Sequence, residues 1–262
     1  MKFNKIILFF NLSLIFGVIM RFFQIKFTIQ YATGFFVSNL SGYGYFMLAV
    51  VFLIAILCGI FASTYYINPE TPPKKGIVLG VASFLPAISI LYEIFTESKT
   101  LDVIPLQSVA LKILGILAAA YFILYGLSKF VEITLPDMTA AIPVLYIIIR
   151  IICDFAAISS LAIISDYIYL ICGYCLILLF FMNFLKLYNK IDTEYNFRKI
   201  FATGLSAAVI CISQSVAHIA VNIVSNNGYT HISHGANLSL LAFGIFIIAF
   251  IFTHFSKENT KE

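Results

Sequence analysis

A bundle of about eight membrane-spanning α-helices is the fold class this sequence predicts, and three observations predict it. Of its 262 residues, 61% are apolar and only 11% are charged, whereas soluble domains average about 45–50% and about 25%. The mean hydropathy is +1.01. The apolar residues fall in continuous runs of about 20, the length a helix needs to cross a hydrocarbon core, and not in the short alternating segments of a β-barrel. A soluble fold of this length could not cover so much apolar surface. Disordered, collagenous and disulfide-rich chains have other compositions. One all-α domain over residues 1–262 is therefore expected, a polytopic integral membrane protein.

The first run, Ile6–Ile25, follows Met1-Lys2-Phe3-Asn4-Lys5, which begins like a signal peptide. No small-x-small cleavage site follows, and the run continues to Met20 and then Arg21-Phe22-Phe23, so it reads as an uncleaved first span. The segment Phe27–Gly44 is amphiphilic, with turn signals at Thr33-Gly34 and Ser41-Gly42, and suits the membrane interface. Tyr45–Tyr66 is the second span, and Ile67-Asn68-Pro69 with Pro72-Pro73 makes a stiff connector. The third, Gly76–Phe95, contains Pro86, which is expected to kink it. Gly76-x-x-x-Gly80 there and Gly115-x-x-x-Ala119 in the fourth span, Val109–Leu127, allow close helix approach. Pro143–Ile164 is the fifth, with a small-residue face of Ala156, Ala157, Ser159 and Ser160. Tyr167–Leu185 is the sixth. The most charged connection, Lys186–Lys199, then leads to the seventh, Ile200–Val224, and a turn at Asn226-Asn227-Gly228 precedes the eighth, Asn237–Phe255. No internal repeat stands out: Pro86 has no counterpart in the seventh span, where Gly204 is the sole candidate breaker.

The basic residues fix an orientation. With the N-terminus in the cytoplasm, the inner segments carry Lys2, Lys5, Lys74, Lys75, Lys129, Lys186, Lys190, Arg198, Lys199, Lys257 and Lys261, and the outer loops only Lys26 and Lys99. That division, 11 against 2, is the positive-inside pattern and predicts both termini in the cytoplasm; seven spans would break it. The net charge of +4 thus reports topology and not nucleic-acid binding. Lys186–Lys199 reads as a solvated inner loop, with contact to anionic headgroups or a partner as the functional alternative. Heavy use of Ile, Phe, Tyr, Asn and Lys without Trp suggests an AT-rich bacterial genome, which points to source and not to function.

Ionisable groups inside spans are costly and point to sites. Arg150 and Asp154 lie mid-way along the fifth span, four residues apart on one face, within reach of an ion pair. They read either as a midplane substrate or proton site or as a structural pair. Gln214, His218 and Asn222, each four apart with Ser215 beside them, form a polar stripe from mid-membrane outward. It lines an outward cavity or makes interhelical hydrogen bonds, and His218 is of the type that titrates near neutral pH. Arg21, Glu93 and Lys112 fall toward the outer ends of their spans. Glu93 and Lys112 flank one turn, within reach of a pair, although snorkelling to headgroups is the favoured reading of Lys112. With His218 and Asn222 they outline a polar outward vestibule.

Other constellations are incomplete. Cys172-Gly-Tyr-Cys175 sits where membrane disulfide oxidoreductases keep reactive thiols, but the second, shuttling cysteine pair they need is missing. All five cysteines, Cys58, Cys153, Cys172, Cys175 and Cys211, lie in apolar runs and read as small buried residues. His231-x-x-His234 near His218 lacks further zinc ligands, so no metal or other cofactor is expected. Gly204-Leu205-Ser206-Ala207 is like the GxSx of rhomboid-type serine proteases, yet His218 is too far along the helix to be its base and His254 lies at the wrong depth. HExxH and P-loop patterns are absent. No catalytic set is complete.

Arg21 closing the first span before Tyr31-Ala32-Thr33-Gly34, and Pro143-x-x-Tyr146-x-x-x-Arg150 in a charged fifth span, resemble a loose group of uncharacterised polytopic membrane proteins of clostridial Firmicutes. The resemblance covers most of the chain through short motifs. It implies a bacterial cell membrane and carries no activity with it.

The functional expectation is a small-molecule permease or transport component, its polar site built from Arg150, Asp154, Gln214, His218 and Asn222, with Arg21 and Glu93 toward the outside. From another class, a membrane sensor or assembly factor would bind a ligand in the outer vestibule and signal through Lys186–Lys199. The partners expected are the lipid bilayer and a small polar or charged ligand, with no nucleic acid.

Overall fold

The computed structural model describes residues 2–31, 33–64, 76–96, 105–131, 133, 135–158, 165–191, 193–225 and 233–255. Among them are eight long α-helices: α1 (Lys2–Phe23), α2 (Ser41–Thr64), α3 (Ile77–Thr96), α4 (Pro105–Leu127), α5 (Ala141–Ile158), α6 (Ser165–Tyr188), α7 (Thr193–Ser225) and α8 (His234–Phe255). Each is long and apolar enough to cross a membrane. No strand occurs among the described residues; the one extended contact is an isolated bridge between Ile29 and Phe36.

Six helices close a ring in which each packs on the next: α7, α6, α5, α4, α3, α8 and back to α7. α1 and α2 lean on the outside of α7 and on each other. The ring is filled by aromatic side chains from α4, α6 and α8. Phe122 meets Phe181, Phe243 and Phe246 edge-on at centroid separations of 5.4–5.7 Å, the favoured geometry for ring quadrupoles. Phe184 continues the stack to Tyr125 and Phe250. Outward faces carry exposed Leu, Ile, Val and Phe, as at Leu53, Ile56, Ile88 and Phe155.

Close approaches occur where side chains vanish. Gly80 and Gly126 bring α3 and α4 together: a Cβ at Gly126 would lie 3.0 Å from the Gly80 carbonyl oxygen. Gly115 seats Ile90 and Ile94 of α3 and Tyr146 of α5. Ser206, in the segment that is like a serine-protease motif, donates to the Ala55 carbonyl at 2.7 Å and ties α7 to α2.

Several boundaries differ from the sequence reading. Lys186–Lys199 is not a long loop. α6 continues to Tyr188, with Lys186 in its last turn, where a cation suits the helix dipole. Lys190 then takes a left-handed φ of 56° and the Ile191 amide donates back to the Lys186 carbonyl at 3.0 Å, closing the helix. α7 starts at Thr193 because its first turns, though charged, are helical; hydropathy sees only the apolar portion from Ile200 onward. Ser41-Gly42 is the first turn of α2 and not a loop turn, entered through a 3-10 turn at Ser38–Leu40. Thr33-Gly34 does turn, with Gly34 at φ 74°. α3 runs through Pro86 as one helix, Pro86 being buried within it. The connectors at 67–73, the turn at 226–228, Ser159, Ser160 and His231 lie outside the described residues.

Candidate functional site

Arg21 sits in the last turn of α1 and is 0% exposed. A guanidinium carries five N–H donors and no acceptor, and each one buried without a partner is costly. Its partners come from three further elements. Nε donates to Oε1 of Gln214 on α7 at 2.6 Å, and Nη1 to Oε1 of Gln24 at 2.6 Å and to Oγ of Ser165 at 3.5 Å. Nη2 forms a short ion pair with Asp166 in the first turn of α6, a favoured place for a carboxylate. The guanidinium face covers the Tyr169 ring at 4.1 Å.

The two amides are oriented by this charge. Gln214 turns its oxygen to Arg21 and its nitrogen to Asp166, at 3.4 Å. Gln24 accepts from Arg21 and from the Tyr169 hydroxyl (3.3 Å) and donates to the Gly44 carbonyl of α2 at 2.7 Å. Gln24 reaches this position because α1 widens into a π turn over Gln24–Thr28, a distortion common at functional sites. Thr28 donates to the Gln24 carbonyl at 2.7 Å within it. Beyond it, the Ile29–Phe36 bridge folds the segment that joins α1 to α2 back onto α7. Ile25 and Ile29 pack there with Ala217 and Val221, and the Tyr31 hydroxyl lies 3.2 Å from Ser225 Oγ.

A second centre forms where α3, α5, α6 and α8 meet. Arg150 donates through Nε to Oδ2 of Asp154 at 2.9 Å, the i, i+4 contact the sequence predicts. Its Nη1 forms a short ion pair with Oε1 of Glu93 on α3. Glu93 Oε2 accepts from the Ser239 hydroxyl of α8 at 2.8 Å. The guanidinium lies 5.7 Å from the centroid of the Tyr174 ring. All three ionisable side chains are buried, Asp154 the least so at 9% exposure. Glu93 therefore joins Arg150 and Ser239, not Lys112. The alternative of a Glu93–Lys112 pair is not realised, because α3 presents Glu93 toward α5 and α8.

The predicted single site is thus divided. Gln214 belongs with Arg21, while Arg150, Asp154 and Glu93 form their own triad. His218 and Asn222 face one another on α7, Nδ1 to Nδ2, at 3.3 Å. Arg21, Glu93 and His218 are each at most 2% exposed, so they line no open outer vestibule. α6 links the two centres, giving Asp166 and Tyr169 to the first and Tyr174 to the second. Tyr167, between them, is within electrostatic reach of both Asp154 and Asp166.

Sequence reasoning missed Asp166, Gln24, Tyr169, Tyr174 and Ser239. A signal existed for the first two: a lone arginine in an apolar run needs a counter-charge, Asp166 directly precedes the sixth run, and Gln24 stands three residues after Arg21 on the same face. Cys172 and Cys175 are free thiols, half-buried and exposed. Compared with protein families, curated proteins and solved structures, the chain matches none.

Proposed function

We propose that this chain is a multi-pass protein of the bacterial cytoplasmic membrane, both termini inside, that works as a small-molecule permease or transport component. The orientation rests on the distribution of Lys and Arg. The transport reading rests on one observation above all: two arginine centres are buried within the bundle and share α6. Intramembrane charge is retained where it handles ions or charged solutes, and a helix common to both centres lets the state of one bear on the other.

The test uses the purified full chain in detergent and thermal unfolding against a panel of amino acids, carboxylates, amines and phosphate esters. One chemical class should raise the melting temperature, and Arg150→Gln should abolish the rise. Proteoliposomes should accumulate the same class. No stabilising class and no flux would overturn the reading.

A second reading, a sensor or assembly factor, is favoured by α7. It runs unbroken from the charged turn at Thr193 to Gln214 beside Arg21. Ligand stabilisation without flux would select it.

A further inference from the structure

The triad of Glu93, Arg150 and Asp154 does not balance its charge. Two carboxylates face one guanidinium, and all three side chains are buried. Among the described residues, the centre with every group ionised holds one excess negative charge, in a medium that tolerates it poorly. Among the described residues, the charged groups acting on Glu93 are Arg150 and Asp154, and those acting on Asp154 are Arg150 and, reciprocally, Glu93. Lys112, half-buried on α4, is not among them.

The two carboxylates are not equivalent. Glu93 is engaged on both oxygens, by Arg150 and by Ser239. Asp154 accepts from Arg150 through Oδ2, and its side chain keeps 10% exposure against 3% for Glu93. Beside them the Tyr174 hydroxyl is buried with no hydrogen-bond partner among the described residues. It is within electrostatic reach of Glu93, Arg150 and Asp154. A phenol left unpaired there can donate to a carboxylate and accept from a carboxylic acid. Two carboxyls forced into one site resolve the conflict by sharing a single proton.

We propose that Asp154 is an exchangeable proton site, Arg150 and Glu93 remaining an ion pair, with Tyr174 as the positioning residue beside it. The step is a proton transfer alone. Hydronium gives its proton to the Asp154 carboxylate and becomes water, the triad passes from one net negative charge to neutral, and no bond between heavy atoms changes. Among the described residues, the titratable groups that bear on Asp154 are Glu93 from α3, Tyr167 and Tyr174 from α6, and Arg150 and Cys153 from α5 itself. α8 adds the neutral Ser239 hydroxyl. That the proton drives a co-transported solute rests on the transport reading above; the proton site does not.

The test is infrared difference spectroscopy of the full chain in phosphatidylethanolamine–phosphatidylglycerol nanodiscs, stepped in pH. Wild type should show one carboxylic-acid carbonyl band that disappears as pH rises. Labelling aspartate isotopically at its side-chain carboxyl should move that band, which needs no variant. Asp154→Asn should remove it and Glu93→Gln should leave a titrating band. Tyr174→Phe should keep it but move its disappearance to higher pH, because it removes the one hydroxyl that, unpaired beside the protonated site, can turn to donate to the carboxylate as it ionises. A band insensitive to aspartate labelling, a band surviving in Asp154→Asn, or no titrating band would each overturn the proposal. Pyranine-loaded proteoliposomes given amino acids, carboxylates or amines separate the two readings. A titrating band without solute-driven acidification removes the transport reading and leaves the site. Acidification without the band removes the site and leaves transport.

Discussion

Arg21 and Asp166, 145 residues apart, form an ion pair in which neither side chain is exposed at all. Around it lie two glutamine side chains, a serine and a tyrosine ring, so removing either charge strands the rest. Breaking a buried pair costs about 3–5 kcal/mol, whereas replacing both partners by apolar groups of similar volume is often neutral. Arg21→Met and Asp166→Leu should each lower stability by about that amount, and the double variant should recover most of it. Steric-trap or denaturing-detergent unfolding of the three variants measures the coupling. Additive losses would show that the pair does not act as a unit.

Two glycines of α2 should respond in opposite ways to alanine. A Cβ at Gly59 would come within 2.8 Å of the Ala202 carbonyl oxygen and crowd the Ser206 hydroxyl that ties α7 to α2, whereas at Gly42 it would meet nothing within 4 Å. Gly59→Ala should cost about 1–3 kcal/mol, and Gly42→Ala should stay within about 0.5 kcal/mol of wild type. The same unfolding assay reads both.

Cys172 and Cys175 should not form a disulfide with one another. Residues three apart on a helix hold their Cβ atoms about 5–6 Å apart, and a disulfide needs about 3.5–4.5 Å. After treatment with copper phenanthroline, alkylation and intact mass should still count both thiols as free. A loss of two hydrogens assigned to this pair would mean that α6 opens locally there.

The orientation proposed from the basic residues has its own test. Green fluorescent protein fused at either terminus should fluoresce in bacterial cells, because it matures in the cytoplasm. Alkaline phosphatase fused after Gly34 should be active, because the proposed orientation places that segment outside. A dark fusion at one terminus would require an odd number of crossings.

The eight helices were legible because a bilayer imposes one requirement, an unbroken apolar run of sufficient length, and that requirement is written residue by residue. The ends were less so. α7 begins at Thr193, in a charged stretch that hydropathy cannot distinguish from a loop. Asp166 escaped notice for a related reason: it stands outside any apolar run and becomes buried because Arg21, on another helix, needs it. Arg150 and Asp154 could be paired from spacing alone, since both lie on α5. Glu93 could not be assigned to them, because its partners depend on which faces of α3, α5 and α8 converge. Proximity along the chain suggested Lys112 instead.

The π turn at Gln24–Thr28 holds one residue more than the α turn it replaces. It is therefore a joint at which chain length and helix phase can be exchanged. Deleting a single residue there would leave Ile6–Arg21 in place but rotate all that follows by about 100° about the α1 axis. The α1–α2 connection, which Tyr31 fastens to Ser225, would be carried off the face of α7 on which it now closes. The covering of the Arg21 centre is thus set by a count of residues as much as by their identity, and a one-codon deletion would disturb it more than most substitutions.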